Sequence, residues 1–415
     1  MKRLKVPRVV SAGCLLGAAA CGCVLGPTAL QASRVRYNEA IQETTTEQLL
    51  LNLVRLQYRE SPLFLGVGSV SAQFRFEETA DLSGAINEGP NPINPDRLGL
   101  GAGVGYEERP TITFAPLQGR DFVRQLLSPL PLDAILLLSH SGWSVDRVLR
   151  LTVQTMNGLD NASRASGPTP ADVPRYKDFA RVSGLLRQLQ KKGLLELGYE
   201  SREDDVGIPV PLAGATLPDV VSARSQGYSV RVNSTGESLI VTGSSRVLVW
   251  RKPPPPAAES PEVIEIVELL GLDPDRSSYD IQLAIGRQPE VKAAPGKRTQ
   301  INIATRSLMG TLFYLSQAVQ VPEPHRHRGV VTTTRDADGQ PFDWTLLTGD
   351  LLRVHSQRTQ PSRAAVAVRH RGYWYYIDDA DLTSKSTFGF LAQLFALQAG
   401  AIEGVAPVLT LPVGG

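Results

Sequence analysis

The sequence predicts an α+β fold in which helices are mixed with mainly antiparallel sheets and a C-terminal hairpin is covered by a helix. Two strand-like runs, Ala364–His370 and Tyr373–Ile377, flank Arg371-Gly372, and an apolar helical stretch carrying Phe388, Leu391, Leu394 and Phe395 follows at once. Tyr228–Val232 and Leu239–Thr242 face each other across Asn233-Ser234-Thr235-Gly236, a second hairpin. Gly66–Phe76 and Leu98–Phe114 alternate with a period of two, as the arms of a long ribbon would.

In chain order, a helix is expected from Ser33, with Thr44 and Glu47 as a capping box ahead of Leu49, Leu50, Leu53, Val54 and Leu56, and with Pro62 as its stop. The ribbon arms then flank a polar loop, Glu77–Arg97, rich in Pro and Asn. Helical spacing returns over 119–159, with Phe122, Val123, Leu126 and Leu127 before the break at Pro129 and Pro131, then Ile135–Leu138 and Val145–Met156. After the polar stretch Asn161–Pro174, one helical face collects Phe179, Val182, Leu185, Leu186 and Leu189, and Gly193 ends it. Val247–Trp250 adds a strand before the stiff run of prolines 253–256, read as a linker. Glu262–Leu270 and Ser307–Val319 are helices, and Ser384 or Thr383 caps the last one, which ends at Gly400. The expected divisions are a signal segment over 1–22, helix, ribbon and helices over 23–160, helix and antiparallel strands over 161–252, a linker over 253–261, and an α+β domain over 262–415.

The N-terminus carries an address. Lys2, Arg3, Lys5 and Arg8 form a cationic region, and Val9–Ala20 an apolar one too short to span a bilayer. Small residues precede two cysteines: Ala18, Ala19 and Ala20 before Cys21, and Ala20, Cys21 and Gly22 before Cys23. Over residues 1–27 the chain resembles the lipobox-type signal of bacterial lipoproteins. The resemblance implies acylation at Cys23, with Cys21 as the alternative, and anchorage in the cell envelope. Val24 rather than Asp follows Cys23, which by the same resemblance implies the outer membrane, with the body facing the periplasm.

All three cysteines lie inside this segment, so processing at Cys23 leaves one cysteine, itself acylated, which excludes structural disulfides, thiolate metal sites and cysteine nucleophiles. Loss of the four basic residues changes 43 basic against 41 acidic side chains to 39 against 41, a balance that argues against nucleic-acid binding. No later apolar run is long enough for a transmembrane helix.

Candidate chemistry is sparse. Gly99, Gly101, Gly103 and Gly105 lack dinucleotide-fingerprint spacing, and their alternation with Leu98, Leu100, Ala102, Val104 and Tyr106 fits either a closely packed ribbon or a lipid-facing one. His325 and His327 would share a face on a strand, but neighbouring Arg326 and Arg328 oppose a cation. Asp336-Ala337-Asp338-Gly339 reads as a turn, and Ser139-His140-Ser141-Gly142 as a junction between helices. Tyr373, Trp374 and Tyr375 with Asp378, Asp379 and Asp381 form a candidate ligand surface, because sugar faces stack on rings while hydroxyls donate to carboxylates.

No catalytic constellation, cofactor or metal site is expected. The leading expectation is a non-enzymatic envelope lipoprotein that scaffolds or assembles with other envelope proteins, using the helix Thr45–Arg59 and the ribbon as contact surfaces. The alternatives are an oligomeric pore or export subunit whose ribbons share one barrel, and a cell-wall-directed hydrolase using the C-terminal aromatic and Asp cluster.

Overall fold

The computed structural model describes residues 34–85, 97–117, 119–168, 173–205, 210–211, 214, 216–232, 236–284, 296–399 and 409–412. The signal segment and both candidate acylation sites, Cys21 and Cys23, lie outside the described residues, as does Gly400. The fold is α+β. Two compact units divide the chain, the first comprising residues up to 52, 61–123 and from 399 onward, the second 53–60 and 124–398.

Helix α1 runs unbroken over 34–57, so Thr44 is not an N-cap. Its hydroxyl and that of Thr46 bond back to the carbonyls of Ala40 at 2.8 Å and Gln42 at 2.6 Å, which lets this β-branched run remain helical. The chain leaves α1 through Arg59, in the left-handed region at φ 60°.

In the first unit, two side chains one turn apart on α1 stitch the following segment to the helix. Buried Asn52 donates to Leu63 O at 2.8 Å and accepts from Leu63 N at 3.0 Å, and Gln48 makes the same pair of bonds to Leu65. Strand β1 (Leu65–Ala85) pairs antiparallel with β2 (Arg97–Pro116). The ordered ribbon thus takes in Glu77–Ala85, which reads as loop in the sequence because its two faces differ less in polarity there. A short last strand, Leu409–Pro412, pairs with β2 along Thr111–Phe114.

Helix α2 (Arg120–Leu127) begins in the first unit, where its Phe122 meets Phe64, and ends in the second, in which α3 (Leu132–His140) and α4 (Val145–Thr152) follow. The helical spacing of Val145–Met156 breaks at Val153, where β3 (Val153–Met156) begins and turns into β4 (Leu159–Asp160). Next come α5 (Lys177–Lys191), ended at Gly193 with φ 68°, β5 (Glu196–Asp205), β6 (Val210–Pro211), α6 (Leu217–Ser225), β7 (Ser229–Val232) and β8 (Ser238–Arg251). Then follow α7 (Pro261–Leu269), β9 (Ser278–Leu283) and β10 (Gln300–Thr305). These strands form one eight-stranded sheet in the order β4-β3-β10-β9-β8-β5, with β6 and β7 also on β8. Its pairs are antiparallel except β9 with β10.

Because β8 and β9 pair in register from Leu248↔Ile281 to Arg251↔Ser278, the prolines 253–256 connect neighbours in one sheet rather than two domains. The sheet core includes Trp250, stacked on Tyr279 at 5.6 Å between centroids.

After β10, Ser307 caps α8 (Leu308–Ser316) by accepting from Gly310 N at 3.0 Å, and α9 (Glu323–His327) and α10 (Thr345–Thr348) follow. The C-terminal hairpin, β12 (Ala364–His370) with β13 (Tyr373–Asp378), gains a third strand, β11 (His355–Gln357), on β13. Helix α11 (Leu382–Ala399) starts earlier than Thr383 or Ser384. Asp381 supplies its cap, accepting from Ser384 N at 3.0 Å and Ser384 Oγ at 2.7 Å. Buried Phe390 of α11 meets Trp143 edge-on at 5.2 Å, beside a Trp143 Nε1 bond to Gln393 Oε1 at 3.1 Å.

Candidate functional site

Two features stand out, one in each unit. In the first, backbone register sorts the ribbon into two faces. Opposed pairs share a face, so Phe76↔Tyr106, Ala80↔Ala102, Leu82↔Leu100 and Gly84↔Leu98 lie on one side. On the other lie Glu77↔Gly105, Thr79↔Gly103, Asp81↔Gly101 and Ser83↔Gly99. The split continues down β1, where Ser69, Ser71, Gln73 and Arg75 share the polar face and Val70, Ala72 and Phe74 the apolar one. Two charged residues stand on the apolar side, Glu78 opposite Val104 and Glu108 opposite Phe74, flanking the aromatic pair Phe76↔Tyr106. At about 3.4 Å per residue, the ribbon's arms are about 65–70 Å long. Among the described residues, β1 pairs only with β2, and β2 has a second neighbour only at Thr111–Phe114. Among the described residues no other strand pairs with either outer edge along the two-faced stretch.

In the second unit, a groove of about 900 Å³ is walled by α9, by 331–335, and by the segment from Pro341 into α10. Its floor is the bridge between Val319 and Val354, where Gln320 N donates to Val354 O at 2.8 Å and Val354 N to Ala318 O at 3.2 Å. The α9 wall is pinned from behind. His325 is 2% exposed, and its Nδ1 lies 2.5 Å from Tyr58 Oη, which is 2.6 Å from Tyr375 Oη. Burial, then the charges of Arg328 and Arg371, holds the His325 pKa below its ordinary value, so the ring is neutral at neutral pH. His325 Nδ1, Tyr58 Oη and Tyr375 Oη thus form one hydrogen-bonded chain. Burial and its hydrogen bond with Tyr58 raise the Tyr375 pKa, and burial raises that of Tyr58.

A charged cluster caps this network. Arg371, in the left-handed region at φ 47°, pairs with Glu60 at 2.6 Å and lies over the Tyr58 ring at 4.9 Å. His370 Nε2 is 3.2 Å from Glu60 Oε2. Burial alone would raise the Glu60 pKa, but its bond to Arg371 and the neighbouring His370 and Arg371 charges bring it below the ordinary carboxylate value. The three central polar groups are enclosed, so their role is to fix α9 against α1 and β13 rather than to exchange protons with a substrate.

The residues singled out in sequence separate. The pleat of β13 sends Tyr375 into the buried network and puts Trp374 on the opposite face, in register with Gln357 and Arg369. Tyr373 packs edge-on against His325 at 5.1 Å and has Arg358 over its ring. Asp378 accepts from Ala380 N at 2.8 Å and Asp379 pairs with Lys385 at 2.6 Å, so both serve the turn into α11. His325 and His327 stand on a helix rather than a strand and diverge, His327 being exposed and 3.0 Å from Glu323. Asp336 Oδ1 accepts from Asp338 N and Gln340 N, closing the turn read from the sequence. Among the described residues no group of three His, Cys, Asp or Glu side chains is placed to hold a metal. Tyr58 and Glu60 carry no motif, because their partners His325, Arg371 and Tyr375 lie hundreds of positions away, and the groove residues Trp344 and Arg353, though from one segment, match no motif either. No protein-family model, curated protein or solved structure matches this chain.

Proposed function

We propose that the protein is an envelope lipoprotein, acylated at Cys23 or Cys21, that assembles with copies of itself so that their β1–β2 ribbons close a shared β-barrel, as a pore or export subunit does. The two-faced register carries this reading. A membrane strand needs about 9–11 residues with apolar and polar positions alternating. The stretch 76–84 paired with 98–106 has that length and that alternation. A two-stranded ribbon with open edges exposes unpaired backbone groups, which hydrocarbon does not tolerate, and ring closure between copies removes the edges. Phe76 and Tyr106 sit at one end of the apolar stretch, where aromatic girdles occur, and Glu78 lies beside them rather than at mid-depth.

The wider reading, a tethered scaffold on the periplasmic side of the outer membrane, shares the anchor but assigns contact to the helix Thr45–Arg59. That assignment is weakened, because Leu49, Leu50, Leu53, Val54 and Leu56 are already buried within the fold. The hydrolase reading needs several rings and free carboxylates on one surface, but the pleat puts Tyr373 and Tyr375 on the face opposite Asp378, and Asp378 and Asp379 are engaged in the turn into α11.

The test is the native mass of full-length protein extracted in mild detergent. A discrete homo-oligomer several times the monomer is expected, as is loss of metabolic acyl labelling when both Cys21 and Cys23 are changed to Ala. A monomer still held by its lipid would remove the barrel and leave the tether.

A further inference from the structure

We infer that the groove of the second unit is a binding site for an extended glycan bearing carboxylates. The site lies within one unit and does not depend on the barrel reading.

Its electrostatics select an anion. Arg326, Arg335 and Arg353 line it against two carboxylates, Glu323 and Asp343, and both carboxylates are engaged. Glu323 lies 3.0 Å from His327 and 3.9 Å from Arg326, while Asp343 accepts from Thr345 N at 2.9 Å and Thr345 Oγ1 at 2.7 Å. Two of the guanidinium groups are oriented in advance. Arg353 Nε donates to Gly349 O at 2.7 Å and an Arg335 terminal N–H to Gly339 O at 2.6 Å, each a single use of a fork that has five donors. A group held this way loses little freedom when a carboxylate arrives.

The remaining lining favours a sugar over a peptide. Trp344 and Phe342, 5.4 Å apart and edge to face, give half-buried rings on which an apolar pyranose face can stack. Thr333 supplies a hydroxyl at an exposed position, beside those of Thr332 and Thr345, which already bond Arg59 and Asp343. An extended peptide would draw on a free strand edge, yet the main chain of Ala318, Gln320 and Val354 on the floor is already spent on its own bridge. The volume lies near the upper end of the usual range for ligand sites, about 300–1,000 Å³.

Titration calorimetry on full-length protein in detergent, with hexagalacturonate, chitohexaose and hexaglutamate as probes, decides the matter. Hexagalacturonate is expected to bind in a salt-sensitive way, and neutral chitohexaose at least about tenfold more weakly. The double variant Arg326→Ala with Arg353→Ala, both at exposed positions, is expected to weaken hexagalacturonate by about tenfold or more with its melting temperature unchanged. If that variant melts early, Arg326→Ala alone, which breaks no main-chain bond of the fold, gives the reading instead. No heat from hexagalacturonate up to about 1 mM, or unchanged affinity in the variant, overturns the proposal. Equal or tighter binding of hexaglutamate overturns it in favour of an acidic peptide.

Discussion

Replacing Ala80 by Arg is expected to abolish the homo-oligomer, while replacing its neighbour Thr79 by Arg is expected to preserve it. The two positions are adjacent on β1, but Ala80 pairs with Ala102 on the apolar face and Thr79 with Gly103 on the polar one. Ala80 also lies midway along the stretch 76–84, at the depth where an arginine on the lipid side of a barrel costs about 2–4 kcal/mol per copy. A ring repeats that penalty in every subunit, so several copies together exceed the usual 5–15 kcal/mol that holds one domain folded. On the polar face the same side chain reaches water. The measurement is the native mass of each variant after detergent extraction. Loss of the oligomer in both variants, or in neither, would mean that the two faces do not meet different media.

The second large effect concerns the fold. Arg306→Ala is expected to lower stability by about 3–5 kcal/mol, the sum of about 1–3 kcal/mol for a buried carbonyl left without its donor and the cost of the cavity that truncation opens. Arg306 is 1% exposed and sits at the junction of β10 and α8. One terminal nitrogen donates to Arg150 O at 2.9 Å and Val153 O at 2.7 Å, and the other to Asn161 O. Its guanidinium carbon lies 4.2 Å from the centre of the Tyr314 ring. Burial pulls its pKa down to about 10, which still leaves it charged at neutral pH. Truncation therefore leaves a buried carbonyl unsatisfied, removes the contact with the ring and opens a cavity. Arg306→Met fills most of that volume without the donors, so the difference between the two variants in urea unfolding isolates the hydrogen bonds. A loss below about 1 kcal/mol would place Arg306 among ordinary surface arginines.

Arg306 also shows what the sequence can and cannot convey. Helices such as α5, α7 and α8, and the hairpin of β12 and β13, were legible because apolar periodicity and local turn chemistry are written in consecutive residues. Strand β5 was not. Its Glu196–Asp205 run is mostly polar and joins the sheet beside β8, with Arg202 paired to Asp280 and Arg251 to Glu200. The second half of β1 was missed for a related reason: Glu77, Glu78, Thr79 and Asp81 look like loop until pairing with β2 sorts them by face. The candidate ligand surface at Tyr373, Trp374 and Tyr375 was misjudged as a unit because consecutive strand residues alternate sides. Arg306 and Tyr58 gave no signal at all, and His325 only that of a pair with His327 that the helix does not form, since a buried polar group is defined by partners that only the fold supplies.

The most direct test of the shared barrel is disulfide trapping between copies, since the sequence holds no cysteine after Cys23. Copies carrying Thr79→Cys are co-expressed with copies carrying a single cysteine at Gly99, Gly101, Gly103, Gly105, Glu107 or Arg109, oxidised in the membrane, and run without reductant. The account predicts covalent dimers between Thr79→Cys and one or two neighbouring members of that panel, because ring closure sets β1 of one copy beside β2 of the next. Trapping of Thr79→Cys with itself, or with no member of the panel, would contradict it.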